Sequence, residues 1–427
     1  MSAVETIEVA NASVEETREL VRVVVIDDIL THPNADSLEL AIIGGWQCCV
    51  RIGEFKKGDP AVYCEIDAML PLDLPMFGFL ETRKESLKEV DGRVYSRVKT
   101  IRLRKELSQG LLIPVGDFTA SGMELKVGDN LTASLGILKY EASSDKQADS
   151  LELKPTWFQR MCLAIAGGEP PKLQLPWPEY LPKSEQPRVQ NVSASYNAAV
   201  ASGEEFEVSV KLDGASMTAW YQAHMNYSGV ASRNNRLIIE DVIWGWFEQF
   251  RRWFAALLMS NRRMFKIKRF IFPRWKRGLM ATEDQFVKAF FDLKLHEKLK
   301  EYWREHALGV AVQGELCGPG INKNFERLSE HRFYVYAVLL KDKDGSIYRP
   351  VLPEVARAIC DELGLEYVPV ISRSSALPST TKQCLLYAEG KSAFKNDGYR
   401  EGLVFKSTTR DFSFKVISNS YLLKVSD

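Results

Sequence analysis

Short alternating runs dominate the first third of the chain. Leu20–Ile26, Leu38–Ile43, Gln47–Ile52, Ala61–Ile66 and Arg93–Ile101 place apolar side chains at near-alternate positions over the length of a strand. Gly44-Gly45 and Lys57-Gly58-Asp59 supply turns between them. Such a series predicts a small β-barrel over residues 20 to 140. Residues 141 to 155 are polar and read as a linker, and prolines at 170, 171, 176, 178, 182 and 187 mark a second irregular passage. From residue 181 onward the period changes repeatedly between strand and helix, an α+β pattern. A helix is predicted over Phe286–Leu299, with apolar side chains at 286, 290, 293 and 295, and another over Glu354–Leu363, ended by Gly364.

Charge adds little to this picture. The 427 residues carry 56 basic and 56 acidic side chains, so net charge points to no class of partner. Seven scattered cysteines form no Cys-x-x-Cys pair and have no histidine at zinc spacing, which argues against a zinc site or a disulfide framework. The acidic N-terminus has no apolar core, and no run of about 18 uncharged apolar residues occurs. A cytoplasmic protein is expected.

Candidate chemistry centres on Lys211-Leu212-Asp213-Gly214, which closes the alternating run Phe206-Glu207-Val208-Ser209-Val210. Alone, Lys-x-Asp-Gly also describes many hairpin turns. Five elements follow it in order. They are Ser232-Arg233-Asn234, then Gln313-Gly314-Glu315-Leu316 after the apolar run Gly309–Val312, then the aromatic strand Phe333-Tyr334-Val335-Tyr336-Ala337-Val338. Glu401-Gly402-Leu403-Val404-Phe405-Lys406 comes next, and Ser413-Phe414-Lys415-Val416-Ile417 last, with Lys424 close behind. In this order they resemble the motifs of the covalent nucleotidyltransferases, the polynucleotide ligases and mRNA capping enzymes, over residues 181–427.

The resemblance implies a reaction. Lys211 attacks the α-phosphate of ATP, forming lysyl-AMP and releasing pyrophosphate. A protonated lysine cannot attack, so partial burial and a neighbouring cation, Lys415, are expected to lower its pKa. Lys211, Lys415 and Glu401 form the expected catalytic set, with Glu401 helping to hold Mg²⁺ or Mn²⁺. Glu315 is expected to hydrogen-bond the ribose, and Tyr336, or else Phe333, to stack on the base. Asp213, Gly214 and Arg233 complete the implied nucleotide site. Two positions depart from the family pattern: Ser413, where a second lysine is common, and Ala337, where an acid often stands.

Domain order narrows the resemblance. Capping enzymes and DNA ligases carry an OB domain after the fifth motif, whereas this chain stops at Asp427, soon after Lys424. The barrel precedes the motifs, as in RNA ligases with an N-terminal OB-like domain. His32-Pro33-Asn34-Ala35-Asp36 resembles the start of tRNA-binding OB modules, with a structural role expected. Lys99-Thr100-Ile101-Arg102-Leu103-Arg104 and Arg188-Val189-Gln190-Asn191 resemble the same ligase branch. The expected organisation is a β-barrel (OB-like) domain at 1–140, a linker at 141–180 and a nucleotidyltransferase domain of antiparallel sheets and helices at 181–427. The expected function is an ATP-dependent RNA ligase acting in RNA repair. It joins a 3′-hydroxyl to a 5′-phosphate end through lysyl-AMP and adenylylated RNA. A DNA nick ligase and a non-catalytic nucleic-acid-binding protein with a degenerate ligase domain are the alternatives, Ser413 and Ala337 favouring the latter.

One stretch has no place in that scheme. Lys211 and Glu315 are 104 positions apart, and the surplus falls at about 241–282. Ile243, Trp246, Phe247, Phe250, Trp253, Phe254, Leu257 and Leu258 share one helical face. Between Glu248 and Glu283 stand ten basic residues, Arg251, Arg252, Lys266, Lys268 and Arg269 among them, interleaved with aromatics. An RNA-clamping arm, a helix on an anionic membrane surface and a hairpin packed on the core are the three readings.

Overall fold

A computed structural model of the chain describes residues 18–140, 174–183, 186–223, 226–237, 285–341, 347–394 and 398–425. The expected insert, with Arg251, Arg252, Lys266, Lys268 and Arg269, lies outside the described residues, as does most of the expected linker.

The N-terminal part is built from short strands. They are β1 (Val21–Val25), β2 (Asp28–Thr31), β3 (Leu38–Ile43), β4 (Trp46–Arg51), β5 (Pro60–Cys64), β6 (Ala68–Pro71), β7 (Leu87–Val90), β8 (Arg93–Arg97), β9 (Thr100–Leu103), β10 (Glu106–Gln109) and β11 (Leu111–Pro114). Helix α1 (Val115–Thr119) and β12 (Leu138–Lys139) follow. The strands pair in the orders β1-β5-β11, β2-β3-β4, β9-β10 and β12-β6-β8-β7. Alternation sends Val62 and Cys64 into one apolar cluster with Phe77 and Phe118, and Ala61 and Tyr63 into another with Trp46. The single strand expected over Arg93–Ile101 is two, because pairing passes from β7–β8 to β9–β10 at Val98-Lys99.

The chain continues through β13 (Gln174–Pro176), α2 (Ser193–Ser202), β14 (Glu205–Lys211), β15 (Ala215–Gln222), β16 (Tyr227–Ser232), β17 (Asn235–Leu237), α3 (Gln285–Asp292) and α4 (Leu295–His306). Then come β18 (Val310–Cys317), β19 (Arg332–Lys341), β20 (Tyr348–Pro350), α5 (Pro353–Leu363), β21 (Glu366–Tyr367), β22 (Val370–Ala376), α6 (Thr381–Ala388), β23 (Gly402–Ser407), β24 (Ser413–Ile417) and α7 (Asn419–Val425). These strands make two sheets. The larger runs β13-β17-β16-β15-β18-β19-β20, with β21 beside β19, and the smaller runs β22-β14-β23-β24.

The helix expected over Phe286–Leu299 is divided. Lys294 adopts a left-handed conformation, φ 53°, between α3 and α4. The break lets Phe290 and Leu295 enter the same core, with Leu299 and Tyr302 following on α4. The helix α5 ends at Gly364, whose φ of 57° suits a residue without Cβ.

Two compact units result. One contains Leu212–Val368 and the larger sheet. The other joins the N-terminal strands to Gln186–Lys211 and Pro369–Asp427, and so contains the smaller sheet. No helix among the described residues is long and apolar enough to cross a membrane. The described cysteines are free thiols, and burial pushes Cys49 up to about 11 and Cys384 up to about 12.

Candidate active site

The smaller sheet places its charges by simple alternation. Phe206 and Val208 of β14 join Leu403, Phe405, Phe414 and Val416 in an apolar cluster. Glu207, Ser209 and Lys211 therefore belong to the opposite face. On that face Lys211 stands opposite Gly402, Ser209 opposite Val404, and Glu207 opposite Lys406. Val404 in turn pairs with Lys415, and Lys406 with Ser413. Three lysines thus share the face.

Lys211 Nζ donates a hydrogen bond to Glu401 Oε1 at 2.6 Å, and a quarter of the lysine side chain (25%) remains exposed. A carboxylate at this distance stabilises the ammonium form. The contact is with an acid, while the expected cation, Lys415, stands two strands away on the same face of the sheet. Gly402 explains why a glycine follows Glu401. A Cβ there would collide with the carbonyl oxygen of Val416 and lie 3.0 Å from the Cα of Ile417. Any side chain at 402 would force β23 and β24 apart beside the Lys211–Glu401 pair.

The segment before β14 ties this sheet to the N-terminal strands. The amide N–H of Lys415 donates to the carbonyl of Pro187 at 2.8 Å, so 187–188 runs along β24. The Arg188 guanidinium lies 5.5 Å from the ring centre of Trp46, and burial lowers its pKa against the pull of Asp67. Asn191 Nδ2 donates to Glu65 Oε1 at 2.9 Å, and Arg18 bridges the same buried carboxylate at 2.6 Å. Arg188 and Asn191 thus hold two parts of one unit together.

The larger sheet carries a second group of expected residues. Ser216 stands opposite Glu315, and Glu315 opposite Tyr334. Gly214, just before β15, is pressed onto β18, where a Cβ would lie 2.5 Å from the carbonyl oxygen of Leu316 and 2.7 Å from Glu315 Cγ. That close approach requires glycine as the fourth residue of Lys-x-Asp-Gly. A β-bulge separates the two aromatic candidates. Gln313 pairs with Ala337 and Gly314 with Val335, leaving Tyr336 as the extra residue. Tyr336 is half-buried and its hydroxyl meets Ser216 Oγ at 2.9 Å, on the side of the sheet that carries Glu315. Phe333 is 4% exposed in the core, with its ring under Gly314. The expectation that Phe333 could stack on a base is corrected, because its ring is buried by packing.

The remaining expected residues are dispersed. Arg233 is exposed in the turn between β16 and β17, where Ser232 Oγ donates to the carbonyl of Asn235 at 3.3 Å. Lys424 lies on helix α7 and is exposed. His32 is buried. Its Nδ1 accepts from the Asn34 amide at 3.1 Å and its Nε2 donates to the carbonyl of Leu103 at 3.2 Å, which is the structural role expected. Lys99, Arg102 and Arg104 are exposed on and beside β9, and Arg102 donates to the carbonyl of Leu423 at 3.1 Å.

Sequence reasoning missed Asn322. Its Nδ2 donates to Asp213 Oδ1 at 3.1 Å and to the carbonyl oxygen of Gly214. Its one signal in the sequence was the Gly318-Pro319-Gly320 punctuation just ahead, which marks an unusual loop.

Comparison with known proteins gives a consistent result. An RNA ligase family profile matches residues 204–417, and an OB-fold domain profile matches residues 20–115. A Naegleria gruberi RNA ligase solved with AMP and manganese is 28% identical, with a TM-score of 0.66, covering 96% of this chain and 100% of that one. The same ligase with ATP and manganese is 28% identical with a TM-score of 0.66, covering 95% of this chain and 98% of that one. Its structure with pyrophosphate is 29% identical with a TM-score of 0.65, covering 96% of this chain and 100% of that one. No curated protein matches the chain.

Proposed function

Because the chain belongs to the RNA ligase family, we propose that it is an ATP-dependent RNA ligase joining 3′-hydroxyl to 5′-phosphate ends in RNA repair. The observation that carries this reading is Lys211, at the end of β14, with its Nζ 2.6 Å from Glu401. The Naegleria ligase structures with ATP or AMP and manganese support the same nucleotide and a divalent cation here.

In the first step a bond forms between Lys211 Nζ and the α-phosphorus of ATP, the bond to pyrophosphate breaks, and the lysine loses its extra protons. Next an oxygen of the RNA 5′-phosphate displaces Nζ, giving a 5′–5′ pyrophosphate. The 3′-hydroxyl then attacks the RNA phosphate and AMP leaves. The protein's part is placement and charge. Glu315 accepts from the ribose hydroxyls, Tyr336 offers its ring to adenine, and Arg233 and Lys415 offset phosphate charge. Asp213 and Gly214 form the turn that follows the nucleophile.

Glu401 fits a hard divalent ion, for its carboxylate already holds a cationic group, the Lys211 ammonium. Mg²⁺ or Mn²⁺, when bound, would neutralise that carboxylate and polarise phosphate oxygens.

The test is adduct formation with radiolabelled ATP. Lys211→Ala should give none; an undiminished adduct would remove Lys211 as the nucleophile, and no adduct with the unaltered chain would leave a nucleic-acid-binding protein. Sealing of matched RNA and DNA nicks tests the substrate, with RNA expected to be joined faster.

A further inference from the structure

The loop between β18 and β19 has no part in the chemistry above, yet its backbone is unusual. Asn322, Lys323 and Asn324 have φ values of 41°, 57° and 50°, three successive non-glycine residues in the left-handed region. Asparagine tolerates that region and lysine does so poorly. The Asn324 amide donates to the carbonyl of Ile321 at 2.6 Å, closing a turn whose central residues are Asn322 and Lys323. Positive φ at both central positions favours asparagine, aspartate or glycine at the first and glycine at the second, so Asn322 suits its place and Lys323 does not.

The loop is anchored along its length. Ile321 is in the core of the unit, and His331 Nε2 donates to the carbonyl of Pro319 at 2.7 Å. The Asn324 side chain donates to the carbonyl of Leu328 at 2.8 Å and accepts from its amide at 3.0 Å. From this fixed base Asn322 Nδ2 reaches Asp213 Oδ1 at 3.1 Å and the carbonyl oxygen of Gly214. One amide group therefore holds both the side chain and the backbone of the turn that follows Lys211.

We infer that Asn322 is a positioning residue for lysine adenylylation, acting through the Asp213-Gly214 turn. The inference rests on the reading of Lys211 as nucleophile. Nζ must approach the α-phosphorus in line with the departing pyrophosphate, and small displacements of a nucleophile cost rate far more than affinity. The joining of RNA that already carries AMP does not use the lysine, so it should be spared.

The test is single-turnover adenylylation of the full chain with radiolabelled ATP. Asn322→Gly removes the amide while suiting the left-handed backbone. Its rate constant at saturating ATP should fall ~10–100-fold, the loss of a charge-assisted hydrogen bond. The half-saturating ATP concentration should change less than about threefold, as should sealing of pre-adenylylated RNA. Asn322→Ala, which keeps a Cβ in the left-handed region without asparagine's tolerance of it, should be both slower and less heat-stable than Asn322→Gly. A wild-type adenylylation rate in Asn322→Gly would overturn the inference. Equal losses in adenylylation and sealing, with a lowered Tm, would also overturn it, leaving a structural loop only. An adduct that persists in Lys211→Ala overturns instead the reading beneath it.

Discussion

The two sheets that carry the expected residues place them differently. In the smaller sheet, β14 keeps a continuous register against β23, its irregularities lying on the β22 side, so Glu207, Ser209 and Lys211 share one face and Phe206 and Val208 the other. In the larger sheet, a bulge at Tyr336 breaks the alternation of β19. Tyr336 consequently shares a side with Glu315, while Phe333, three positions earlier, is in the core. The continuous β14–β23 register places the charged side chains, and a bulge re-aims the ring. Bulges re-aim side chains in this way at the cost of local pairing.

The contrast can be tested from its strongest point downward. Glu401→Gln keeps the shape beside Lys211 but removes the charge. Lysyl-AMP formation measured over a range of Mn²⁺ or Mg²⁺ should fall at least ~100-fold, with a higher metal requirement. A normal metal dependence would mean that regular alternation in the smaller sheet does not place the metal-binding acid. Next come the two aromatics of β19. Phe333→Ala should destabilise the fold by about 3–5 kcal/mol in denaturant unfolding, because it empties the space of a buried ring. Tyr336→Ala should cost far less stability and raise the KM for ATP by ~10-fold, because adenine would have no ring to stack on. If the two substitutions exchanged effects, the bulge would not have sorted the aromatics.

The smallest effect belongs to the other end of the chemistry-bearing sheet. Arg410 bridges Glu204 at 2.8 Å, just before β14, and Ser407 bonds the same carboxylate. Burial pushes the Glu204 pKa up, but Arg410 and Ser407 pull it down further, so the net shift is downward. Stability from a depressed carboxylate is present above its unfolded pKa and is lost as pH falls through the folded value. Arg410→Ala should therefore cost about 1 kcal/mol or less near neutral pH. That cost should shrink below the ordinary carboxylate range. Unfolding curves at pH 7 and pH 3 would show this, and a larger loss at low pH would refute the pair's sign.

Much of this arrangement was legible in the sequence. Strand alternation located β14 with its terminal lysine and β1, β3, β4, β5, β8 and β9, because each depends on local periodicity, whereas the short β2, β6, β7, β10, β11 and β12 went unread. The glycines at 214 and 402 were legible as motif members, but not their reason, which is the close approach of the carbonyls of Leu316 and Val416 on strands distant in sequence. Lys294 broke a helix whose apolar spacing looked continuous, since one left-handed residue leaves no trace in a hydrophobic pattern. The Tyr336 bulge and the Asn322 hydrogen bonds were hidden for a related reason. Both are set by pairing between strands or between a loop and a turn, and neither partner announces the other.

The smaller sheet has a further consequence for how the protein is made. Strand β14 ends at Lys211, but its neighbours β22 and β23 begin at Val370 and Gly402, and β24 follows at Ser413. The larger sheet needs nothing beyond Tyr367. On a ribosome, the larger sheet can therefore close while the smaller still lacks all its partners. Strand β14, apolar on one face, must wait through more than a third of the chain's synthesis before it is paired. Non-local pairing of this kind is slow and leaves an exposed strand open to wrong partners. Lys211 thus gains its Glu401 partner only late in biogenesis, and truncated products released before Gly402 would carry the motif without the sheet that holds it.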